Sequence, residues 1–562
     1  YANKPDRDIE LSLGGPVPFG RYLGNATFFA SLRDNLDSYS YPTIKDYYHS
    51  QTGNFSLTSY LTSSTKLKLD YLYQREESLH SGSWGDVEGP GGGGGVPYVY
   101  GALPAEVFRS GFGATIEQSV SSRTYWQLKI SGSTMKIDSD GPETFREGAS
   151  PDSRGDIIAY YLPDQGIVQS EDIQPEDTTG GYYALTEAPY GFSNYKLTHA
   201  IGSGAVLSWG ESELRDESRS NSFQAEFDIT SQINRYHEVK AGLLFSYDHF
   251  QADFVKVFEY PGLNEQKFSG SPLRTAAYIQ DKFEYKGLIA NVGVRMEMYD
   301  PNTEWYKLDT DSLKYSKYFS AAYKSQFDQK MPQEDVKPKL VISPRVGISH
   351  PLTNTSKIYF NYGHQYSTPG GYDKYNVNYT RQGQPISFIG NPRMDLPRTI
   401  SYELGFDQQF LGSYLISIAG YYKDMTDETG EVYYEDITGA ISYTKIVNNS
   451  FSDIRGLEIS LEKRWGQWIT GALNYTYMVE KHGMHGWEAY YEDPMRQRLE
   501  GDRNPFVEKP LPIPNLNGYL SLLTPEGFGP DLAGIYPLAD WNVTTSIFWS
   551  KGEYLRSEER RV

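Results

Sequence analysis

The sequence contains no cysteine, which excludes disulfide bonds, thiolate metal sites and cysteine nucleophiles. It has no apolar run approaching the roughly 20 residues that a transmembrane helix needs, and its mean hydropathy is −0.57. Basic residues are outnumbered, with 52 Lys and Arg against 72 Asp and Glu and a net charge of −20. Because phosphate contacts need clustered Lys and Arg, we expect no nucleic-acid partner.

Enzyme signatures are also missing from the sequence. It has no HExxH pair, no phosphate-binding P-loop and no GxSxG elbow. The glycine run at residues 91–95 is not followed by the Lys-Ser/Thr pair of a phosphate cradle, so a flexible loop is favoured there. We therefore expect no enzymatic activity.

Aromatic residues and glycine are abundant, with 48 Tyr, 26 Phe, 9 Trp and 54 Gly. Aromatic side chains favour strands and membrane–water interfaces, and glycine favours turns. Apolar and polar residues alternate along the chain, as in residues 288–299, where every even position is apolar. Two architectures produce this pattern: a soluble sandwich buries the apolar face, whereas a membrane barrel turns it towards lipid.

Counting the alternating segments predicts about 20 strands. The predicted strands are 8–13, 27–37, 54–62, 65–76, 113–120, 122–135, 194–201, 204–214, 220–231, 237–250, 273–285, 288–299, 338–350, 356–366, 398–410, 413–425, 440–464, 467–480, 513–523 and 541–551. Residues 448–453 are expected to form an irregular bulge inside a long strand.

The connections between these strands alternate between short turns and long polar loops. The long loops are 77–112, 137–193, 300–336, 367–396 and 481–509. Membrane barrels have this asymmetry, with short periplasmic turns and long extracellular loops, whereas a sandwich mixes loop lengths at both ends. The sequence therefore predicts an all-β fold, a large antiparallel transmembrane β-barrel whose lumen is open or plugged.

Several motifs, in order along nearly the whole chain, resemble those of TonB-dependent receptors. They are Gly390–Pro397 running into Ser401–Gly405, Arg455–Ile459 followed by Leu473–Tyr477, Tyr278–Phe283 before Asn291–Arg295, Ser343–Gly347, and Glu10–Pro16. The last of these is similar to the Oar-type, carboxypeptidase-regulatory-like branch.

The resemblance implies a 22-stranded barrel, of which residues 1–562 would supply the second to the twenty-first strand. The plug domain with its TonB box, the first strand and the last strand would then lie outside this segment. It also implies an outer-membrane transporter that takes up a scarce nutrient and is energised by the TonB–ExbB–ExbD complex. Lipid and a surface lipoprotein are the other expected partners. The alternative is a passive porin-like channel or a structural, surface-binding barrel.

Aromatic side chains in the outer loops are the candidate ligand-binding residues, because flat rings with polar tips suit sugars, peptides and planar chelates. They are Trp84, Tyr98, Tyr100, Trp305, Tyr306, Trp487, Tyr490 and Tyr491. Packing of one loop against another explains the same residues equally well. The nutrient itself is not specified by the sequence.

Two loops contain residue types that could bind a metal ion. Asp138, Asp140 and Glu143 surround a glycine turn and offer the hard oxygen ligands that Ca²⁺ prefers, although a solvated acidic surface is favoured over an ordered Ca²⁺ site there. His482 and His485 lie near carboxylates, and a solvated loop is favoured over a metal site there. We expect no cofactor, and a structural Ca²⁺ in the outer loops is the alternative.

Overall fold

The computed structural model describes residues 5–39, 47–80, 87, 104–139, 159–162, 166–169, 214–257, 263–378, 385–466, 468–501 and 512–551. The first strands are β1 Arg7–Pro16, β2 Thr27–Ser38, β3 Tyr47–Tyr60, β4 Thr65–Leu79, β5 Pro104–Ser121, β6 Thr124–Asp138, β7 Ala159–Leu162, β8 Gly166–Gln169, β9 Leu214–Asp216, β10 Arg219–Gln232, β11 His237–Val257, β12 Leu263–Gly270, β13 Leu273–Tyr285 and β14 Leu288–Asp300. The others are β15 Glu304–Tyr306, β16 Gln333–Asp335, β17 Lys339–Thr353, β18 Ser356–Tyr366, β19 Val377–Asn378, β20 Phe388–Ile389, β21 Arg398–Phe410, β22 Tyr414–Glu435, β23 Ser442–Lys463, β24 Ile469–Met484, β25 Ala489–Tyr491, β26 Pro512–Leu523 and β27 Asn542–Ser550.

Helices are short and lie in the connections. They are α1 Asp311–Lys314, α2 Phe327–Lys330, α3 Gly371–Tyr375 and α4 Pro494–Gly501, with 3₁₀ turns at Gly20–Leu23, Lys317–Phe319 and Lys324–Gln326. Among the residues that the structure describes, none of the helices has the length and apolar character needed to cross a membrane.

Within the part of the chain that the structure describes, one 23-stranded sheet contains nearly all the strands. Its long strands form a consecutive antiparallel ladder in the order β1-β2-β3-β4-β5-β6-β10-β11-β13-β14-β17-β18-β21-β22-β23-β24-β26-β27. Each strand pairs with the next one in the chain, apart from the short strands in the loops. This meander is the arrangement that the alternating short turns and long loops predict.

The apolar face of this sheet is exposed. A row that crosses four neighbouring strands shows this: Leu243 pairs with Ala277, Ala277 with Met296, and Met296 with Ile342. Leu243, Met296 and Ile342 are 60%, 48% and 54% exposed. In a sandwich these side chains would be covered by a second sheet. The sandwich interpretation is therefore wrong, and the apolar face points outward.

The sequence located most strands to within a few residues, and the largest errors lie at the strand ends that lead into the long loops. The structure extends β3, β5, β11 and β22 well beyond the predicted segments. Residues 194–201 lie outside the described residues, and so do 204–214 apart from Leu214. Among the described residues, the ladder passes directly from β6 to β10. Alternation is a local signal and does not specify which strands pair.

Connections at the short-turn end have two exceptions to the predicted asymmetry. Residues 17–26 contain a 3₁₀ turn between β1 and β2, and residues 524–541 join β26 to β27. In the second of these, the Trp541 indole N–H donates to the carbonyl of Pro537 at 2.8 Å. The asymmetry thus holds for the hairpin turns between these two connections and does not extend to every connection at that end.

On the inner face, tyrosine rings lie over glycines of the neighbouring strand. Tyr359 pairs with Gly405 and Tyr421 with Gly456, and a Cβ atom at either glycine would overlap the partner's ring. Tyr278 lies over Gly242 in the same way, and its hydroxyl donates to Asp228 one strand further on at 2.6 Å. A glycine inside a strand normally weakens it, and a ring that covers the exposed backbone offsets that loss.

Replacing Gly405 with Ala should destabilise the barrel by about 1–3 kcal/mol, because the added methyl group displaces the Tyr359 ring. Thermal unfolding in detergent, followed by near-ultraviolet circular dichroism, measures this effect. The control is Gly420→Ala on the adjacent strand, where a Cβ would meet its nearest neighbour at 3.9 Å. Equal melting temperatures for the two variants would contradict the role of the covering ring.

Candidate functional site

The candidate site lies at the end of the ladder that carries the long loops. There the β22–β23 hairpin continues past its neighbours and gains two short parallel strands: β25 pairs with Tyr433–Glu435, and β20 pairs with Thr444 and Lys445. We call this four-stranded unit, in the order β25-β22-β23-β20, the tip sheet. β21 pairs with β22, but β20, which precedes it in the chain, pairs with β23. β24 pairs with β23, but β25, which follows it, pairs with β22. The segments that connect β20 to β21 and β24 to β25 therefore cross the hairpin in opposite directions.

A bulge separates the tip sheet from the rest of the hairpin. Met425 pairs with Ser452, but Glu428 pairs with Ser450 and Thr429 with Asn448, so the register shifts twice within a few residues. Asp427 has a φ of +59° at this point. The irregularity predicted for residues 448–453 is therefore confirmed, and both strands contribute to it.

Four aromatic rings form a column across the tip sheet. Tyr490 stacks on Tyr434 with centroids 5.4 Å apart, Tyr434 on Tyr443 at 5.3 Å, and Tyr443 on Phe319 at 4.2 Å, all within 15° of parallel. Tyr490, Tyr434 and Tyr443 are direct cross-strand neighbours, which sets their spacing. We call these four residues the aromatic column. Its inner end, Phe319, is fully buried, and its outer end, Tyr490, is 37% exposed.

Trp305 and Tyr306, two of the candidate ligand-binding residues, are buried where the loops meet. The Trp305 indole donates to the carbonyl of Gly390 at 3.0 Å, and the Tyr306 ring packs 4.6 Å from Phe327. Both belong to an apolar cluster that joins residues 305–336 to the tip sheet. Their placement favours loop-to-loop packing for this pair.

The remaining predicted aromatics differ in their surroundings. Trp487 packs against Gly501, and Tyr491 lies 4.2 Å below the Arg496 guanidinium, while Tyr490 ends the aromatic column. Trp84, Tyr98 and Tyr100 lie outside the described residues. The sequence did not identify Tyr434, Tyr443 or Phe319, because only the pairing of distant strands brings them beside Tyr490.

The motif that begins at Gly390 connects three loops. Asn391 donates from its side chain to the carbonyl of Ile446 at 3.1 Å. Arg393 donates to the carbonyl oxygens of Trp305 and Tyr306, and its Nη2 lies 3.2 Å from Glu334. These groups fix residues 390–397 against both the 301–338 loop and the tip sheet. The motif thus has a structural role at the base of the outer loops.

Lys374 is a buried cation beside the same loops. It is 4% exposed, its Nζ donates to the Tyr299 hydroxyl at 2.6 Å, and it lies 4.7 Å from the centre of that ring. Tyr375 donates in turn to the carbonyl of Pro301 at 2.9 Å. Burial lowers the pKa of Lys374 to about 8, although Asp373 and Asp248 act in the opposite direction.

The inner wall is polar and contains a hollow of about 670 Å³ across β13 to β23. Glycines alternate there with amides and charges across neighbouring strands: Gly293 pairs with Arg345, and Arg345 with Gly363. Glu403, Lys423 and Glu458 lie further round the same hollow. A wall of this composition presents hydrogen-bonding groups to whatever fills or crosses the lumen.

The structure offers no metal centre among the residues that it describes, where no three His, Cys, Asp or Glu side chains converge. His482 lies 3.2 Å from Glu480, whereas His485 stacks on Phe451 at 4.7 Å, so the two rings have separate partners. Asp138 is exposed, and Asp140 and Glu143 lie outside the described residues. The calcium site at these three residues remains a prediction.

Tyr443→Phe should raise stability by about 1 kcal/mol, because the Tyr443 hydroxyl is buried and has no hydrogen-bond partner among the described residues. The ring that stacks between Tyr434 and Phe319 is retained in this variant. Tyr443→Leu removes the ring and should lower stability instead. Thermal unfolding of the two variants tests both signs, and a loss of stability in Tyr443→Phe would show that the hydroxyl has a partner.

Lys374→Met should change the pH dependence of stability. The wild-type chain binds this proton with a pKa of about 8 when folded and near 10.5 when unfolded, so its stability rises between these pH values. The variant lacks this gain, and its melting temperature relative to wild type should therefore fall as the pH is raised from 8 to 10.5. A difference between the two proteins that stays constant with pH would contradict the buried ammonium.

Three known structures match nearly the whole length of this chain. The alcaligin outer-membrane receptor FauA of Bordetella pertussis is 10% identical, with a TM-score of 0.49, and the FpvA–pyoverdine complex of P. aeruginosa is 11% identical, with 0.46. The FrpB iron transporter of Neisseria meningitidis is 9% identical, with 0.50. The match covers 97% of this chain each time, and 66%, 63% and 80% of the respective chains. The chain thus spans less than two thirds of the first two proteins.

Sequence comparison gives one family and no individual relative. No protein with a curated description matches the chain. The model of the family described as TonB dependent receptor-like, beta-barrel, matches residues 4–561. Because this match leaves only a few residues at each end, the chain belongs to the TonB-dependent receptor β-barrel family.

Proposed function

We propose that this chain is the barrel of an outer-membrane transporter that imports a scarce nutrient with energy supplied through TonB. The observation that carries the proposal is the inverted polarity of the sheet. Side chains such as Leu243 and Leu404 are about as exposed as polar surface residues, at 60% and 56%, while Arg345 and Glu458 face the interior. Lipid around the sheet and water within it account for this arrangement.

The ladder suits a lipid environment for a second reason. Hydrocarbon offers no hydrogen-bond partners, so every backbone N–H and C=O inside a membrane has to be paired within the protein. The long strands satisfy this requirement by pairing with both neighbours from β2 to β26. The barrel contributes no covalent chemistry and provides a polar route across lipid.

A barrel of this width cannot fill its lumen with its own strand side chains. We propose that a plug domain occupies the lumen of the whole protein and contacts the TonB–ExbB–ExbD complex. The interlocked outer loops, fixed by Arg393 and by the tip sheet, would form the surface that captures the nutrient. A surface lipoprotein is a further candidate partner at these loops.

Depletion of nutrients from the growth medium tests active import. Three strains are compared: wild type, one that lacks this receptor, and one that lacks TonB function. The proposal predicts that at least one compound disappears from the wild-type medium and persists in both mutants. A passive channel predicts instead that the compound persists only without the receptor, and that result would overturn the energised mechanism. Restoring the full-length gene on a plasmid controls for secondary effects.

A further inference from the structure

The aromatic column ends in a ring whose outer side has no aromatic neighbour among the described residues. Its other three members each lie between or beneath neighbouring groups and are at most 9% exposed, whereas Tyr490 is 37% exposed. Aromatic rings on paired strands have centroid distances in the same range as those of other stacked aromatic pairs. One more flat ring placed on Tyr490 would continue the series.

The backbone beside Tyr490 is already occupied. Gln497 of α4 accepts from the Tyr491 N–H at 2.7 Å and donates to the carbonyl of Ala489 at 3.1 Å. This side-chain amide takes the place that a further strand would occupy on the free edge of β25. An extended peptide therefore cannot add to that edge without displacing Gln497, and the ring remains the accessible feature.

Two carboxylates lie two residues beyond the paired Tyr434 and Tyr490, at the end of the tip sheet. Asp436 and Glu492 are held beside the tip sheet by backbone donors, because Ile441 N–H donates to Asp436 and Ile437 N–H to Glu492, both at 2.9 Å. Asp311 lies in the same region, with Lys314 at 3.4 Å as its ion-pair partner. The Tyr315 hydroxyl is within hydrogen-bond distance of the Tyr490 carbonyl, at 3.4 Å.

Tyr315 is partly buried near these carboxylates. Burial, followed by the charges of Asp311, Glu492 and Asp436, raises the pKa of Tyr315 to about 12. The Arg496 guanidinium lies over Tyr491 and pairs with Glu435. Successive strand residues point to opposite faces, so this cation is on the face of the tip sheet away from Tyr490.

We infer that Tyr490, with Tyr315, Asp436 and Glu492 beside it, binds a planar, positively charged aromatic ring. Phenol faces carry partial negative charge and attract cations, and nearby carboxylates add to the attraction. The same groups disfavour an anionic ring of equal size. The inference rests on the proposed function, because it names the chemical class of ligand that the outer loops would capture.

Binding of N-methylquinolinium, a flat fluorescent cation, to the full-length receptor in detergent tests the inference. It should bind at least about tenfold more tightly than quinoline-2-carboxylate, a flat anion, and than tetramethylammonium, a cation without a ring. Tyr490→Ala should weaken binding of the cation about tenfold, while Tyr490→Phe retains it within about twofold. Tyr433→Ala, on the opposite face of the tip sheet, is the matched control and should bind like wild type.

Charge and stacking are separated by a further variant. Asp436→Asn combined with Glu492→Gln should bring the flat cation and the flat anion to within about twofold of each other. Equal affinity of the wild-type protein for the flat cation and the flat anion, or unchanged binding in Tyr490→Ala, would overturn the inferred cation-binding site at Tyr490. Resistance of each variant to SDS without heating shows that its barrel is folded.

The proposed function can fail independently of the inferred site at Tyr490. If depletion of the medium requires TonB but N-methylquinolinium does not bind, the inferred site at Tyr490 is wrong and the proposed import is supported. If N-methylquinolinium binds tightly through Tyr490 but depletion does not require TonB, the energised mechanism is wrong and the inferred site at Tyr490 is supported.

Discussion

Pairing of the backbone within the sheet is the constraint on which the rest of this structure depends. In hydrocarbon an unpaired N–H or C=O costs several kcal/mol, so strands can cross only as members of a continuous ladder. The ladder then fixes two faces with a period of two, and the solvent on each side decides which residues they carry. The tyrosines that cover Gly405 and Gly456 belong to the same requirement, because they shield backbone that has no side chain of its own.

Beyond the membrane-spanning part the rule for apolar residues reverses. Along the strands, large apolar side chains such as Met296 are exposed, whereas in the outer loops Phe319, Phe327 and Ile389 are fully buried. Water surrounds these loops, so they form an apolar core as a soluble domain does. Apolar side chains are thus exposed along the long strands and buried in the outer loops. In the β22–β23 hairpin, the bulge between Met425 and Thr429 separates the two patterns.

The sequence predicted the strands well because their pattern is local. β13, β18 and β21 begin and end where alternation places them, and the lipid-facing row is visible in every second residue. The outer loops have no such pattern. Trp305 and Tyr490 are equally plausible ligand contacts in the sequence, and their difference in exposure arises from which distant segment covers each ring. Lys374 and the aromatic column depend on contacts between loops and could not be foreseen from spacing.

The crossed segments of the tip sheet have a consequence for the order of unfolding. β20 precedes the β22–β23 hairpin in sequence and β25 follows it. Each is held by a short stretch of parallel pairing between residues far apart in sequence. Long-range contacts of this kind form late and contribute little until both partners are in place. On heating, the tip sheet and the loops packed on it should therefore unfold as a separate cooperative unit while the ladder of long strands persists. Calorimetry should then show two transitions.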